Sequence, residues 1–389
     1  MDITKKRLAI ITTHPIQYNA PFFKLLSERN KISIKIFYTW SQSKNAVYDP
    51  DFKNVRQWDI PLLDGYEYEF VENISKTPGS NNFNGIINPN IIECVNLFSP
   101  DAVLVYGWAF ASHLKVMRHY KNKIPVFFRG DSTLIDEPEG FSFKKIFRTI
   151  FLKWIYSFVD IAFYTGTYNK NYFYRAGLKE EQLIFAPHAI ENERFFLNET
   201  IKDQSLKLRY KLNIGEEDIV FLFAGKFHQK KNPLLLLTAF LKMNDKNVHL
   251  VFVGNGELES ALKNLSKNNH KVHFIPFRNQ SIMPAVYHLC NIFILPSQGP
   301  GETWGLALNE AMAAGKAVIA SNKTGGATDL IKPNLNGHIF VSGDKNALAS
   351  YMHDVINTYV EMGNQSLKII KELTIEKFAA AIEIKMQHV

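Results

Sequence analysis

Two glutamates with seven residues between them, Glu302 and Glu310, bracket the start of a segment of helical period. The apolar run 292–295 stops at Pro296-Ser297, a loop carries Glu302, and a helix is expected from Gly305-Leu306 to Gly315, a residue suited to a left-handed cap. At ~1.5 Å per residue the two carboxylates lie roughly 10 Å apart along the helix direction, near enough to grip two parts of one ligand. Amides at the helix start offer a place for an anion between them. Cations come from a second stretch, Gly225-Lys226-Phe227-His228-Gln229-Lys230-Lys231-Asn232-Pro233, which puts Lys226 and Lys231 just past the apolar run 220–224. Lysines beside a helix start and the glycine pair Gly325-Gly326 form a receptor for a diphosphate, and carboxylates beyond it accept hydrogen bonds from sugar hydroxyls.

Positioning these groups requires buried parallel strands. Apolar runs of strand length at 8–11, 32–38, 102–106, 124–128 and 161–164 alternate with helical patterns, and the scheme restarts with 219–224, 249–253, 272–275, 291–295 and 317–320. Near-continuous apolar strands separated by helices imply parallel sheets covered on both faces, so the chain reads as two doubly wound α/β units facing across a cleft. The boundary is expected after the run 183–186, where 192–203 is polar and lacks periodicity, giving domains over 1–200 and 201–371. After a polar break, 374–388 reads as one more helix.

Composition narrows the class of protein. Of 389 residues 46% are hydrophobic, thirty are Phe and only 37 are Gly (21) or Pro (16), which excludes a disordered or collagen-like chain. Lysine plus arginine exceed aspartate plus glutamate by 45 to 37, a mild excess that suits an anionic small ligand or a membrane surface and not a nucleic-acid partner. Cys94 and Cys290 stand far apart with no metal-ligand spacing, which argues for a reducing compartment and against a disulfide scaffold or zinc site. Lys5-Lys6-Arg7 precedes an apolar run too short for an export signal, and no run reaches the eighteen or so apolar residues of a membrane span. A cytoplasmic protein is expected, soluble or peripheral on the inner face of the plasma membrane.

Several of these motifs, taken in order, resemble the family 4 glycosyltransferases of GT-B fold. The resemblance is carried by Gly225-Lys226 with Lys231, Val253-Gly254-Asn255-Gly256, Pro296-Ser297, the stretch from Glu302-Thr303-Trp304-Gly305-Leu306 to Glu310 and Gly315, Gly325-Gly326 with Asp329, and the segment Pro187-His188-Ala189-Ile190-Glu191-Asn192-Glu193-Arg194-Phe195. It implies two Rossmann-like domains, the first for the acceptor and the second for the donor, with 372–389 crossing back to the first. It further implies retaining transfer of a sugar from a nucleoside-diphosphate donor to a glycan or lipid-linked acceptor, in bacterial surface polysaccharide or lipopolysaccharide synthesis, without metal or other cofactor. On the same basis Lys226 and Lys231 neutralise the departing diphosphate, Glu302 holds donor sugar hydroxyls, and Glu310 holds the ribose. Gly225, Thr303, Trp304, Gly305, Leu306, Gly325 and Gly326 line the donor, and Phe277 and Arg278 stand beside the base.

Three positions depart from the family pattern. His14-Pro15-Ile16-Gln17-Tyr18 replaces a glycine pair after the first strand, Arg129-Gly130-Asp131 stands where a histidine is usual, and Lys226 replaces an arginine, keeping the charge but losing the bidentate fork. His14, Gln17, Tyr18, Tyr106, Trp108, Arg129 and Asp131 all follow expected strand ends and are the candidate acceptor residues. Asp49-Pro50-Asp51 is similar to the metal-binding Asp-x-Asp of another glycosyltransferase fold, but it lies in a polar loop and is assigned no metal. The basic, aromatic segment 141–159 is expected to pack its apolar stripe on the sheet, or else to rest on an anionic bilayer. Two other functions use the same motifs: a nucleotide-sugar epimerase, which needs a base that is not evident, and a non-catalytic sugar-nucleotide-binding scaffold, which needs no charge matched to a leaving group.

Overall fold

The computed structural model describes residues 5–41, 47–49, 54–56, 58–137, 140, 142–243, 245 and 247–389. Pro50 and Asp51, and with them the Asp-Pro-Asp segment, lie outside the described residues, as does Phe141. Fifteen strands are described: β1 (Arg7–Thr12), β2 (Ser33–Tyr38), β3 (Val47–Asp49), β4 (Asn54–Arg56), β5 (Tyr68–Phe70), β6 (Ala102–Tyr106), β7 (Val126–Arg129), β8 (Ile161–Tyr164), β9 (Leu183–Phe185), β10 (Ile219–Ala224), β11 (Val248–Val253), β12 (Val272–Ile275), β13 (Ile292–Leu295), β14 (Ala317–Ser321) and β15 (Gly337–Phe340).

Seven strands form one parallel sheet in the order β5-β2-β1-β6-β7-β8-β9, and six form another in the order β12-β11-β10-β13-β14-β15. All six residues of β11 are buried and so are all four of β13. Strands without a wet face need a layer on each side, which is why these sheets are parallel and helix-covered. In each sheet the strand order reverses once, between β1 and β6 and between β10 and β13, and loops leaving the carboxyl ends diverge at those points to leave room for a ligand.

The chain divides into two compact units. One holds Met1–Val47, Pro61–Pro187 and Ile375–Val389; the other holds Tyr48–Ile60 and His188–Thr374. The break thus falls at Pro187–His188 and not near residue 200. The polar stretch 192–203, read as an aperiodic linker, contains a 3-10 turn at Asn192–Phe195 and enters the helix Glu199–Lys211, capped by Asn198 Oδ1 accepting from Ile201 N at 2.9 Å. Its polarity was misleading because the buried stripe includes Arg209, whose guanidinium donates to the carbonyls of Leu289, Gly215, Glu216 and Asp218.

The chain returns to the first unit with the helix Ile375–Met386. Phe378 stacks on Phe22 with ring centroids 4.1 Å apart, and Glu383 receives Arg29 in a fork at 2.6 and 2.7 Å. Burial alone would raise the Glu383 pKa, but hydrogen bonds from Arg29 and Lys31 outweigh it and hold the carboxyl below its ordinary value.

The helix Phe143–Tyr156 departs from expectation. Only Leu152, Ile155 and Tyr156 are buried, while Phe143, Ile146, Phe147, Ile150, Phe151 and Trp154 are exposed. The segment has two apolar arcs, and the narrower one faces the protein.

Candidate active site

In the second unit the candidate groups gather past the carboxyl ends of β10, β13 and β14, beside the point where strand order reverses. β10 leads through Gly225 to the short 3-10 turn Gln229–Lys231, ended by Asn232 in the left-handed conformation and by Pro233 at the start of the next helix. This turn points Lys231 inward and leaves Lys230 exposed. Lys231 Nζ stands 2.5 Å from Glu302 Oε2, on the loop that follows β13. The same carboxylate oxygen accepts from Ser297 Oγ at 3.0 Å. Gln298 N donates to Lys230 O at 2.8 Å, and Gln298 Nε2 to Gln229 O at 2.9 Å, so the two loops are tied through backbone as well as charge.

The helix Leu306–Ala313 begins at Gly305, whose φ of +90° is open to glycine at little cost, and no side chain caps it. Leu308 N turns back to donate to Gly305 O at 2.8 Å, and the Glu302 carboxylate lies close to the helix start. The glycine pair makes a tight approach possible: a Cβ on Gly325 would stand 1.9 Å from Thr303 O, and Gly325 N donates to Glu302 O at 2.9 Å. Thr324, fully buried, leaves its hydroxyl without a hydrogen-bond partner among the described residues. Inside the helix Glu310 is buried and accepts from Tyr287 OH at 2.7 Å. Trp304, expected among the donor contacts, is buried as Glu302 and Glu310 are: its Nε1 donates to Asn309 Oδ1 at 2.8 Å, while Asn309 Nδ2 donates to His188 O at 2.9 Å. The indole braces the glycine loop from behind. Phe277 N donates to Asn255 Oδ1 at 2.8 Å, fixing the loop after β12, and Arg278 on that loop is exposed. Lys226, Thr303 and Leu306 are partly exposed on the loops and helix start just described.

Sequence reasoning missed Tyr287 and Asn309. Tyr287 lies on the helix Met283–Leu289, remote in sequence from the carboxylate it serves, and no spacing rule could pair them.

The first unit places its candidates past β1, β6 and β7. His14 is within 3.0 Å of Thr13 Oγ1, its ring edge meets Trp40, and burial pushes its pKa down to about 4, so the imidazole is neutral. Gln17 and Tyr18 are half-buried in the turn before the helix Ala20–Glu28, and Asp131 is exposed. Tyr106 buries its hydroxyl, and its pKa is raised by that burial. Trp108 packs edge-on against Phe151. Arg129, expected to face the acceptor, is buried and donates to the carbonyls of Ala186 at 2.5 Å, Pro187 at 3.0 Å and Phe163 at 3.3 Å. Its guanidinium lies 4.2 Å from the Phe378 ring centroid, and burial pushes its pKa down to about 10. Arginine is needed here because only its fork reaches three carbonyls at once, which is a structural role.

Among the described residues no three His, Cys, Asp or Glu side chains converge to hold a metal ion, and no helix is long and apolar enough to cross a membrane.

The chain superposes on the structure of Anabaena HepE in complex with UDP and glucose with a TM-score of 0.71, at 17% identity, covering 99% of this chain and 100% of that one. The fold is GT-B. Residues 204–372 of this GT-B chain, all within the second unit, match the family model described as glycosyl transferases group 1. The chain is 33% identical over 171 residues to a lipopolysaccharide 1,2-N-acetylglucosaminetransferase of Salmonella typhimurium, a match covering 41% of this chain and 44% of that protein. It is 26% identical over 208 residues to a GDP-mannose-dependent alpha-(1-6)-phosphatidylinositol monomannoside mannosyltransferase of Mycobacterium tuberculosis, covering 51% and 52%. The chain spans from about a third to about half the length of the curated relatives it matches.

Proposed function

We propose that the protein is a retaining glycosyltransferase of family 4. It moves a sugar from a nucleoside-diphosphate donor held by the second unit to a glycan or lipid-linked acceptor, in bacterial surface polysaccharide or lipopolysaccharide synthesis. The observation that carries the reading is the meeting of Lys231, Glu302 and Ser297 at the reversal point of the second sheet, beside an uncapped helix start. The relatives that act on lipopolysaccharide and on a lipid-linked mannoside, and the UDP in the HepE structure, support it.

The chemistry follows from charge. When the glycosidic bond to the diphosphate breaks, the bonding pair leaves with the phosphate oxygen and negative charge grows there. Lys226, Lys231 and the first amides of the helix Leu306–Ala313 are cationic or partly positive groups fixed before the reaction, so they stabilise the separating charge more than the intact donor. Glu302, aligned by Ser297, accepts hydrogen bonds from the donor sugar, and Glu310, aligned by Tyr287, accepts from the ribose. The acceptor hydroxyl attacks on the face the diphosphate leaves and gives its proton to the departing phosphate oxygen. No protein nucleophile is required for that step, and the reading assigns no metal. The two free cysteines fit a reducing cytoplasm as its compartment.

The experiment is turnover of UDP- and GDP-sugars followed by proton NMR, with water or a simple glycoside as acceptor. The reading expects first-formed product with the donor's anomeric configuration. Inverted product would overturn the retaining mechanism, and absence of cleavage for every donor would overturn the transfer.

A further inference from the structure

The helix Phe143–Tyr156 presents to solvent what a folded protein ordinarily hides. Phe143 is 72% exposed, Phe147 71%, Ile150 60%, Phe151 46%, Trp154 43% and Ile146 41%. With about half of each large side chain uncovered, the surface is on the order of 600 Å², at the upper end of the roughly 300–600 Å² of a typical monomer's largest patch, which is often functional.

Its arrangement on the helix is ordered. At ~100° per residue these six positions fall in one arc about 140° wide, while the buried Leu152, Ile155 and Tyr156 fall opposite. Lys144 borders one edge of the arc and Lys153 the other, and the helix holds four basic residues and no acidic one. Arg148 turns back to Glu137 at 3.2 Å, so it serves the fold, whereas Lys144 and Lys153 are exposed. Arg118 from a neighbouring helix sets another cation 5.8 Å from the Trp154 ring. Aromatic and branched side chains in the middle with long cationic side chains at both margins are what the boundary of an anionic bilayer accommodates, with rings among the acyl chains and ammonium groups reaching the phosphates. A second copy of the chain is a poorer occupant, because a two-fold pairing would bring Lys144 and Lys153 against the same cations.

We propose that the exposed face of the helix Phe143–Tyr156 is a docking surface for an anionic lipid bilayer. The inference rests on the first unit alone and is independent of the proposed sugar transfer.

It is tested by co-sedimentation of the full chain with vesicles of phosphatidylcholine alone or with about 30 mol% phosphatidylglycerol, at low and high salt. Expected is binding to the anionic vesicles only, weakened by salt, lowered about fivefold by Lys144→Gln and again by Lys153→Gln, and lowered more than about tenfold by Phe147→Glu. Phe147 is exposed, so its substitution leaves the unfolding temperature and nucleotide binding unchanged. Failure to bind anionic vesicles, or binding indifferent to Phe147→Glu, would overturn the proposal. So would a concentration-dependent dimer in sedimentation velocity that Phe147→Glu dissolves, since the face would then belong to a second copy.

Discussion

Lys231 Nζ stands 2.5 Å from Glu302 Oε2, joining the loop after β10 to the loop after β13 where the order of the second sheet reverses. The carboxylate is buried and the lysine nearly so. Removing the cation leaves a buried charge with Ser297 as its remaining side-chain donor among the described residues.

Lys231→Met is expected to lower the unfolding free energy by about 2 kcal/mol, with Lys231→Met/Glu302→Gln recovering part of the loss in urea unfolding. The single variant should also slow transfer roughly a hundredfold or more, because the leaving diphosphate loses a fixed cation. Strictly additive stabilities would show that the pair is not coupled.

Tyr287→Phe removes the hydroxyl that donates to Glu310 at 2.7 Å without changing the ring. A weakening of nucleotide binding by roughly tenfold is expected, with a smaller effect on the transfer step. Calorimetric titration checks it, and an unchanged dissociation constant would remove Glu310 from the ribose.

Arg129→Met leaves three carbonyls, those of Ala186, Pro187 and Phe163, without their donor. A loss of about 3 kcal/mol is expected in urea unfolding, with nucleotide affinity unaltered because the residue belongs to the first unit. Unchanged stability together with lost transfer would instead return Arg129 to the acceptor.

Acid should destabilise the protein before its carboxylates titrate. Burial pushes the pKa of His113 and of His288 down from 6.5 to about 4, so both are neutral in the fold and protonated in the unfolded chain between those values. Stability is then complete above pH 6.5 and falls as pH drops toward 4, where the unfolded state binds more protons. The depressed carboxyl of Glu383 adds a further loss as pH falls through its folded pKa. Unfolding free energies measured from pH 7.5 to 5 should decline, with a shallower slope in His288→Asn; a flat profile in the parent protein would contradict the burial argument.

Much of the fold is legible in the sequence because its strands are buried on both faces. Runs such as 219–224 and 102–106 need no partner to be recognised, and both are strands over those residues. β15 is harder, since Gly337 and His338 interrupt its apolar character. The lysine and glutamates of the second unit are legible through their order along the chain, but their alignment is not: Tyr287 and Asn309 act across distances in sequence that only the packed sheet closes. Arg129 shows the opposite case, a charged residue at a strand end that reads as a ligand contact until the carbonyls of Ala186 and Pro187 are seen around it. In the helix Phe143–Tyr156 periodicity reveals an apolar arc but not which arc meets the protein, because Leu152, Ile155 and Tyr156 suffice to dock it.

The most direct test of the proposed donor site is calorimetric titration of the full chain with UDP, GDP, CMP, ADP and dTDP, repeated on Lys231→Ala and Glu310→Ala. Saturable binding of one nucleoside diphosphate, weakened by both substitutions, is the predicted result. Binding of none of them, or binding indifferent to both substitutions, would contradict a donor site built on Lys231 and Glu310.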